Sequence, residues 1–304
     1  MKLHGGMALV AASCISGATA FSPVKPMATA TGNNGLFMSS DIVGSPPEGW
    51  QEVKELYPPE EFVPDFRVEG GNTLKTFKMP AHAERVQYVL ASANGRPMKA
   101  RVELWIGPLR CVHTLIADNM NGESCPIKAT LKFKKLAPTL KISNNGEFEF
   151  PLAAGVFVPT PERSAELGAL TQEMWDTSPK VTVQGGPTTG GLGSVRTYEI
   201  DPSWDNCQLM FWSVDVGSKS VKAAIEVIQG PNNTKQIYDL QIGGSTQPFH
   251  AVINTPGEGW RVRVFSKKFL EDGKFQFAVA PYTENEFEDD SPNPGVSFGS
   301  SGGW

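Results

Sequence analysis

Apolar and polar residues alternate with a period of two along most of the chain. Residues 101–106, 131–134 and 260–264 each place apolar side chains on one face of an extended segment and charged side chains on the other. This pattern is typical of antiparallel strands with one buried and one solvated face. A helical pattern stands out over residues 161–177, where a proline suits the first turn and an apolar side follows. The pattern therefore predicts an all-β protein with one clear helix.

A short motif that occurs twice indicates that the chain is internally duplicated. An Asn-Gly pair precedes Phe148 and Phe150, and an Asp-Gly pair precedes Phe275 and Phe277. Asn-Gly and Asp-Gly favour tight hairpin turns with positive φ angles, and the spacing puts both rings of each pair on one face. We therefore expect the two pairs of phenylalanines to occupy equivalent places in two copies of one module.

Further matches follow in the same order, with offsets that drift by only a few residues, as loop insertions would produce. The matching segments are 68–71 with 183–186, 74–77 with 195–198, 102–104 with 225–227, 107–108 with 230–231, and Pro126 with Pro248. Self-similarity in a fixed order is the signature of repeated structural units. We interpret the chain as two copies of one β module, residues 68–154 and 183–281.

Each copy has the length of one β-sandwich or jelly roll, about 90 to 100 residues. The predicted fold class is all-β, with two tandem, internally duplicated β-sandwich-like modules, a short connecting helix and extended terminal arms. A single layered barrel is the alternative. The other segments are a presequence at 1–40, an N-terminal arm at 41–67, a helical linker at 155–182 and a flexible tail at 282–304. The aromatic residues of the arm, Tyr57 among them, are expected to pack on the first module, and packing on a neighbouring subunit is the alternative.

The first 40 residues have the features of a two-part targeting sequence. Residues 1–20 combine Lys2, a short apolar run and a small-residue cleavage site, as in a secretory signal peptide. Phe21 follows directly, and residues 22–40 contain no acid and are rich in Ser, Thr and Ala. The arrangement resembles the bipartite plastid presequences of diatoms and related algae, and plain secretion is the alternative.

Charge, hydropathy and cysteine usage narrow the class of protein. The formal net charge of −5 gives no reason to expect nucleic-acid binding, and no apolar run after the N-terminus is long enough to insert in a membrane. Outside the presequence the cysteines are Cys111, Cys125 and Cys207, of which the first two have no counterpart in the second copy. An odd, unrepeated set argues against a disulfide framework and favours a reducing compartment.

No catalytic or metal-binding constellation is recognisable. His82, His113 and His250 lack the paired spacing of zinc ligands, and the chain has no nucleophile motif. Glu103 and Glu226 form the repeated pair of carboxylates, and their position on alternating strands predicts that they face solvent. The sequence therefore predicts no catalytic residue, no cofactor and no metal.

Aromatic and glycine-rich segments offer two further candidates for a binding site. A sugar-binding face would use exposed aromatic side chains, and the candidates are Trp105, Trp204, Trp212 and Trp260. Packing in the core or in an interface is the favoured interpretation for most of them. The glycine-rich run at 185–194 is followed neither by Gly-Lys-Ser/Thr nor by a helix start, so it is interpreted as a flexible loop.

The C-terminal tail combines charge, flexibility and isolated apolar residues. Five acids fall between residues 284 and 290, and a Gly- and Ser-rich segment follows. Such a sequence cannot bury enough apolar surface to fold by itself. Val296, Phe298 and Trp304 are nevertheless apolar anchors, and we predict that they contact a neighbouring subunit. A frayed end is the alternative.

Together, the presequence arrangement at 17–23, the duplicated module and the tail at 295–304 resemble the pyrenoid shell proteins of diatoms. The resemblance implies a structural protein, not an enzyme, that self-assembles into a sheet enclosing the Rubisco matrix and supports CO2 concentration and fixation. It implies a place at the pyrenoid periphery in the chloroplast stroma, other copies of the chain as partners, and Rubisco matrix components as further candidate partners. The alternatives are a plastid carbohydrate-binding β-sandwich protein and a soluble accessory subunit of a photosynthetic complex.

Overall fold

The chain folds as two β-sheets with one helix, as the computed structural model shows. The structure describes residues 40–42, 56–57, 64–92, 95–134, 137–147, 150–187, 194–213, 220–243, 248–268, 270 and 272–282. The predictions for the presequence before residue 40 and for the tail after residue 282 therefore lie outside the described residues. Within these ranges the predicted all-β, sandwich-like class is confirmed.

The strands fall into two successive groups of eight, preceded by one short strand and separated by the helix. The first strand and the first group are β1 Ser40–Ile42, β2 Phe66–Val68, β3 Thr73–Lys78, β4 Arg85–Ser92, β5 Met98–Ile106, β6 Arg110–Asn119, β7 Ile127–Lys132, β8 Thr139–Asn144 and β9 Leu152–Phe157. The helix and the second group are α1 Pro161–Thr177, β10 Val181–Gly185, β11 Val195–Glu199, β12 Asn206–Ser213, β13 Val221–Gln229, β14 Asn233–Ile242, β15 Phe249–Asn254, β16 Trp260–Ser266 and β17 Gly273–Pro281.

Each sheet is built half from the first group of strands and half from the second. Sheet A has the order β1-β11-β16-β13-β14-β6-β5-β8-β3, and sheet B has the order β10-β17-β12-β15-β7-β4-β9-β2. The halves meet at a seam, formed by β14 and β6 in sheet A and by β15 and β7 in sheet B. The pairings are antiparallel, apart from the parallel pair of β1 and β11. Both sheets are therefore continuous across the two modules.

The two groups have the same topology, so the predicted duplication is confirmed at the level of the fold. Each strand from β2 to β9 has its equivalent eight strands later, from β10 to β17. Counted from one to eight within a group, the strands take the orders 1-8-3-6 and 2-7-4-5, which is the arrangement of a jelly roll. The molecule is thus two jelly-roll modules joined edge to edge through both sheets.

The pairing registers show that the modules are related by a pseudo-two-fold axis through the seam. Ile116 and Asp239 are as far apart in the sequence as the matching residues Val102 and Ile225, and they lie opposite each other across the seam of sheet A. In sheet B, Ala129 and Ala251 have the offset of the matching prolines that precede β7 and β15, and they too lie opposite each other. A residue that faces its own equivalent marks a two-fold axis. The molecule therefore resembles a symmetric dimer in one chain.

The phenylalanine pairs are not equivalent, which corrects one prediction. Ser92 of β4 lies opposite Leu152, whereas the equivalent residue Ser213 of β12 lies opposite Phe275. Leu152 is therefore the counterpart of Phe275, and Phe150 precedes β9 altogether. Phe148 lies outside the described residues. The repeated motif came from two loops of different length, not from equivalent strand positions.

The predicted turn geometry at the same motif is also wrong. Gly146 and Gly273 do not adopt positive φ angles, and Gly273 is the first residue of β17. The positive φ angles that the duplication shares are at Gly107, with φ 61°, and Gly230, with φ 72°, in the β5–β6 and β13–β14 turns. These two turns belong to the Gly-Pro match, so that part of the duplication is confirmed in detail.

The core lies between the two sheets and differs in chemistry between the modules. In the second module three aromatic rings pack around Phe211, with centroid distances of 5.7 Å to Phe277, 6.1 Å to Phe275 and 6.3 Å to Phe249. The equivalent positions of the first module hold Leu90, Ala154, Leu152 and Ile127. At these four positions the second module has aromatic rings where the first has aliphatic side chains, so the sequences of the two cores differ there.

The helix covers the outer face of sheet B. Thr160 caps its N-terminus by accepting a hydrogen bond from the Arg163 N–H, and a proline occupies the first helical position. Leu167, Met174 and Trp175 are buried against outward-facing residues of the sheet, which are Val89, Met210, Val252 and Ala278. This layer lies outside both sheets and crosses from β4 of the first module to β12 of the second.

Candidate functional site

The histidines and carboxylates do not form a metal site in the described part of the chain. No group of three or more His, Cys, Asp or Glu side chains in the described ranges has the geometry to hold an ion. His82 lies exposed in a turn, whereas His113 and His250 are buried in different places. Among the described helices, none is long and apolar enough to cross a membrane.

His113 lies in the core beside the seam. Its ring stacks on Phe249 at 5.5 Å, and neither ring nitrogen has a hydrogen-bond partner in the structure described. Burial lowers the pKa of His113 to about 3, so the ring is neutral at physiological pH. An enclosed neutral imidazole without a polar partner has no access to a substrate, and we assign it to packing.

His250 belongs to a buried polar network on the outer face of sheet B. Its Nδ1 lies 2.9 Å from the Tyr57 hydroxyl, and its Nε2 lies 3.0 Å from Oε1 of Gln208. The same hydroxyl lies 2.9 Å from Oγ1 of Thr130, which also accepts a hydrogen bond from Gln87. Thr130 and His250 face each other across the seam. Tyr57 therefore links strands of both modules through one oxygen atom.

The network holds the N-terminal arm against the seam. The Gln87 side chain donates to the Leu56 carbonyl at 2.8 Å, and the equivalent Gln208 donates to the Pro281 carbonyl at 2.7 Å. Burial is the largest cause of a raised Tyr57 pKa, so the hydroxyl stays protonated. The arm thus packs on both modules, whereas the sequence predicted packing on the first alone. The hydrogen-bond distances and the burial of Tyr57 indicate that this network has a structural role, which is to hold the arm on sheet B.

Glu103 and Glu226 lie on the outer face of sheet A, but neighbouring side chains bury Glu103 and leave Glu226 half-buried, which corrects the prediction that both face solvent. Only 3% of Glu103 is exposed, and its carboxylate lies 3.1 Å from Lys141 and 2.5 Å from Arg101. Burial raises the pKa of Glu103, but the hydrogen bonds from Lys141 and Trp105 and the charge of Arg101 outweigh it, so the pKa is lowered overall. The carboxylate is ionised and paired.

The second module repeats this ion pair. Arg263 of β16 lies opposite Glu226 of β13 and donates to its carboxylate from Nε at 2.7 Å. Lys141 of β8 holds the equivalent place opposite Glu103 of β5. The repeated carboxylates therefore tie neighbouring strands together at equivalent points of sheet A.

The tryptophans do not form an exposed sugar-binding platform. Trp204 and Trp260 are each 5% exposed, and the indole N–H of Trp260 donates to the Pro256 carbonyl at 2.7 Å. Trp212 packs against Trp175 of the helix at 5.2 Å, and Trp105 donates to Glu103 at 3.3 Å. Trp204, Trp212 and Trp260 are packed, as the favoured interpretation expected, whereas Trp105 is half-buried with its N–H bound to Glu103.

The two ends of sheet A differ in their strand partners. At one end β1 lies parallel to β11, with Ser40 opposite Thr197 and Ile42 opposite Glu199. At the other end β3 pairs with β8 and, among the described strands, with no other. Leu74 of β3 is 51% exposed. β3 and β11 are equivalent strands, and among the described strands one end of sheet A is covered by β1 whereas the other end has no added strand.

The predicted interface residues Val296, Phe298 and Trp304 lie outside the described residues. The described chain ends at Tyr282, whose backbone N–H donates to the Asn206 carbonyl at 3.0 Å. Tyr282 packs edge-on against Tyr57 at 6.2 Å. The tail therefore starts from the same polar network that holds the N-terminal arm.

Comparison with protein families decides the relationship. A model of the diatom pyrenoid shell protein family matches residues 59–281, which include both jelly-roll modules and the helix. The chain belongs to the diatom pyrenoid shell protein family. Membership indicates a structural role in the pyrenoid, which is consistent with the structural contacts of the buried polar residues. The resemblance predicted from the sequence is confirmed.

Other comparisons add no function to this shell protein. No curated protein matches the chain. Among solved structures, an uncharacterised protein from Burkholderia cenocepacia aligns at 8% identity over 71% of this chain and 76% of that one, with a TM-score of 0.19. Tomato vicilin aligns at 8% identity over 71% and 75%, with a TM-score of 0.17, and Bacillus subtilis oxalate decarboxylase at 12% over 68% and 75%, with 0.14. Scores this low carry no argument.

Proposed function

We propose that the protein self-assembles into a sheet that encloses the Rubisco matrix of the pyrenoid. The observation that carries the proposal is the match of the shell protein family over both modules. The polar side chains that would have suggested chemistry support it as well, because they are used in ion pairs and in the seam network. The chain acts as a structural protein without a cofactor.

The architecture of one molecule suits open-ended assembly. The pseudo-two-fold relation gives sheet A two similar ends, but β1 covers one end, and no strand in the described ranges covers the other. Dissimilar ends favour contacts between different patches of successive copies, and such contacts propagate unless the rotation closes a ring. Strand edges offer unpaired backbone groups for this kind of joining.

The proposed location is the periphery of the pyrenoid in the chloroplast stroma. The two-part presequence supports plastid import, and the three cysteines that the structure describes are free thiols, as a reducing compartment allows. The partners are other copies of the chain, with Rubisco matrix components as further candidates. A closed protein sheet around the matrix would support CO2 fixation by limiting leakage.

Assembly of the purified chain tests the proposal. Residues 38–304 are the version to purify, because the chain divides after Phe37 and this part keeps β1. We expect light scattering to rise above a threshold concentration and electron microscopy to show sheets or tubes, without added cofactor or sugar. A chain that stays monomeric at every concentration and salt level contradicts self-assembly. Binding to glucans by that monomer would favour the carbohydrate-binding alternative.

A further inference from the structure

We propose that sheet A continues from one copy of the chain to the next through antiparallel pairing of β3 with β1 of the neighbouring copy. The proposal rests on the proposed self-assembly and names the edge that carries it. Repeated pairing of this kind produces a row of copies, in which each β1 lies between β11 of its own copy and β3 of the next. Both equivalent edges then have a strand partner, and every copy makes the same contact.

The equivalence of β3 and β11 is the first step. Lys75 lies opposite Ile142, and Arg196 lies opposite Val264, which is the counterpart of Ile142 in the second module. Leu74–Phe77 and Val195–Tyr198 therefore occupy the same place in their modules, as their sequence match indicated. β11 accepts an added strand at this place. The same edge geometry is present, and open, at β3.

The backbone of β3 has groups available for a partner. The Met79 N–H donates to the Pro138 carbonyl at 2.9 Å. Every second residue counted back from Met79, namely Phe77, Lys75 and Thr73, therefore directs its backbone N–H and C=O at β8. The intervening residues Leu74, Thr76 and Lys78 direct theirs away from β8, toward the open edge. Each of these three is exposed. An added strand can reach their N–H and C=O groups without disturbing β8.

Strand direction fits one particular neighbour. The seven pairings that lead from β11 to β3 are all antiparallel, so β3 runs opposite to β11. β1 is parallel to β11 and therefore antiparallel to β3. A second copy in the same orientation, moved along sheet A, brings its β1 to β3 in the more stable antiparallel arrangement.

Charge favours the same pairing. β3 contains Lys75 and Lys78 and no acid, whereas the Ser40–Ile42 sequence contains Asp41 and no base. Edge lysines often keep other strands away. The equivalent Arg196 does not prevent β1 from lying on β11, so a basic residue at this place is compatible with an added strand of acidic character.

Proline substitution at the open edge tests the contact. Thr76→Pro removes an N–H that points away from β8, and edge strands tolerate proline. We expect the concentration needed for assembly to rise about tenfold, as loss of roughly one hydrogen bond and its neighbours would cause. Thr76→Val keeps the N–H and the branched side chain and should assemble like the wild type. Circular dichroism and thermal melting verify that each variant is folded.

Disulfide trapping tests the same contact without disturbing the backbone. Asp41 is in register with Tyr198, the counterpart of Phe77, so the β3 residues on its face of sheet A are Thr73, Lys75 and Phe77. One chain carries Asp41→Cys and a second chain carries Thr73→Cys, Lys75→Cys or Phe77→Cys in turn. The two chains are mixed before assembly and oxidised after it. We expect cross-linked dimers with at least one of the three, since facing residues of antiparallel strands lie within disulfide reach. Lys274→Cys, on an exposed site of β17, is the control that should not cross-link.

The outcomes separate this inference from the proposed function. Wild-type assembly together with a normal threshold for Thr76→Pro, or with no cross-link at any of the three positions, overturns the β3–β1 contact and leaves self-assembly intact. A wild-type chain that does not assemble overturns both. A raised threshold for Thr76→Pro, a normal one for Thr76→Val and a cross-link from Asp41→Cys support the row of copies.

Discussion

Glu103 and Glu226 show how single side chains fasten the strands of sheet A. Each carboxylate lies opposite a basic residue on the neighbouring strand, Lys141 in the first module and Arg263 in the second. Glu103 is almost fully buried, whereas 19% of the Glu226 side chain is exposed. Breaking a buried pair leaves charges without a partner, which costs more than breaking an exposed one.

We therefore expect Glu103→Gln to destabilise the protein more than Glu226→Gln. Because Arg101 and Lys141 keep part of their solvent contact, the expected loss is about 2 kcal/mol for Glu103→Gln and about 1 kcal/mol for Glu226→Gln. Urea unfolding followed by circular dichroism measures both. Equal losses, or the reverse order, would contradict the burial seen at Glu103.

The two buried histidines make stability depend on pH. Burial lowers the pKa of His113 and of His250 to about 3, below the value of about 6.5 in an unfolded chain. Between these values the unfolded chain binds protons that the folded chain does not. The free energy of unfolding should thus be level above about pH 6.5 and fall as the pH drops toward 3, by about 1.4 kcal/mol per pH unit for each histidine.

His113→Gln isolates one of these contributions. Gln236 occupies the equivalent place in the second module and is buried there, so glutamine fits this position of the fold. We expect the acid-side slope of unfolding free energy against pH to lessen by about 1.4 kcal/mol per unit. Exposed His82→Gln is the control, and its slope should equal that of the wild type. An unchanged slope in His113→Gln would show that this imidazole is not held neutral.

Sequence patterns identified which residues share a face but not which of them are covered. Alternation placed Glu103 on the face away from the core, which is correct. The side chains of Arg101, Lys141 and Trp105 then close over the carboxylate, and no period of two reports such lateral contacts. The contact of Tyr57 with the second module was missed for the same reason, because its partner His250 comes from a distant strand.

At the level of elements, the β5–β6 and β13–β14 hairpins are the best preserved parts of the duplication. Both strand pairs shift register at the same place, after Leu104 in one module and after Val227 in the other. Both turns then use a glycine in the left-handed region, Gly107 and Gly230. A shared bulge and a shared turn fix the same strand twist in both modules.

Substitution of these glycines should cost similar free energies in the two modules. Nothing lies within 4 Å of a Cβ added at Gly107 or Gly230, so the cost of alanine comes from the positive φ angle alone. We expect about 1 kcal/mol for Gly107→Ala and for Gly230→Ala. Asparagine tolerates this region better, so Gly107→Asn should lose less. A loss at only one turn, measured by thermal unfolding, would contradict their equivalence.

Strand patterns and ordered matches sufficed to predict the module and its duplication. The match of 74–77 with 195–198 and that of 68–71 with 183–186 agree with the observed pairing registers. The phenylalanine motif failed because the cores differ: Phe275 and Phe277 belong to the aromatic cluster of the second module, and their counterparts Leu152 and Ala154 are aliphatic. Similar residues in two loops of unequal length then gave a false sequence match.

On the scale of the whole molecule, the pseudo-two-fold axis is broken by the terminal segments. β1 adds a strand to one end of sheet A, and Tyr57 and Tyr282 pack together on the outer face of sheet B. The two modules are therefore similar in fold but different in the surfaces they expose. The sequence predicted the duplication and the family, whereas the difference between the sheet ends depends on where the N-terminal segment pairs, which no local pattern encodes.

The tail is proposed to act between subunits through Phe298 and Trp304. Burial of one large aromatic contributes roughly 1.5–3 kcal/mol, which offsets part of the ordering cost of about 1–2 kcal/mol per fixed residue. Deleting residues 294–304, or changing both aromatics to alanine, should leave the modules folded but raise the concentration needed for assembly. Light scattering compares the variants with the full chain. An unchanged threshold would identify the tail as a frayed end.

The position of the protein in the cell tests the central claim most directly. A full-length chain, with its presequence and a fluorescent protein fused after residue 304, is expressed in a diatom and imaged together with labelled Rubisco. The account predicts a thin fluorescent rim around the Rubisco signal inside the plastid. An even stromal signal, a thylakoid pattern or secretion from the cell would contradict a shell that encloses the pyrenoid.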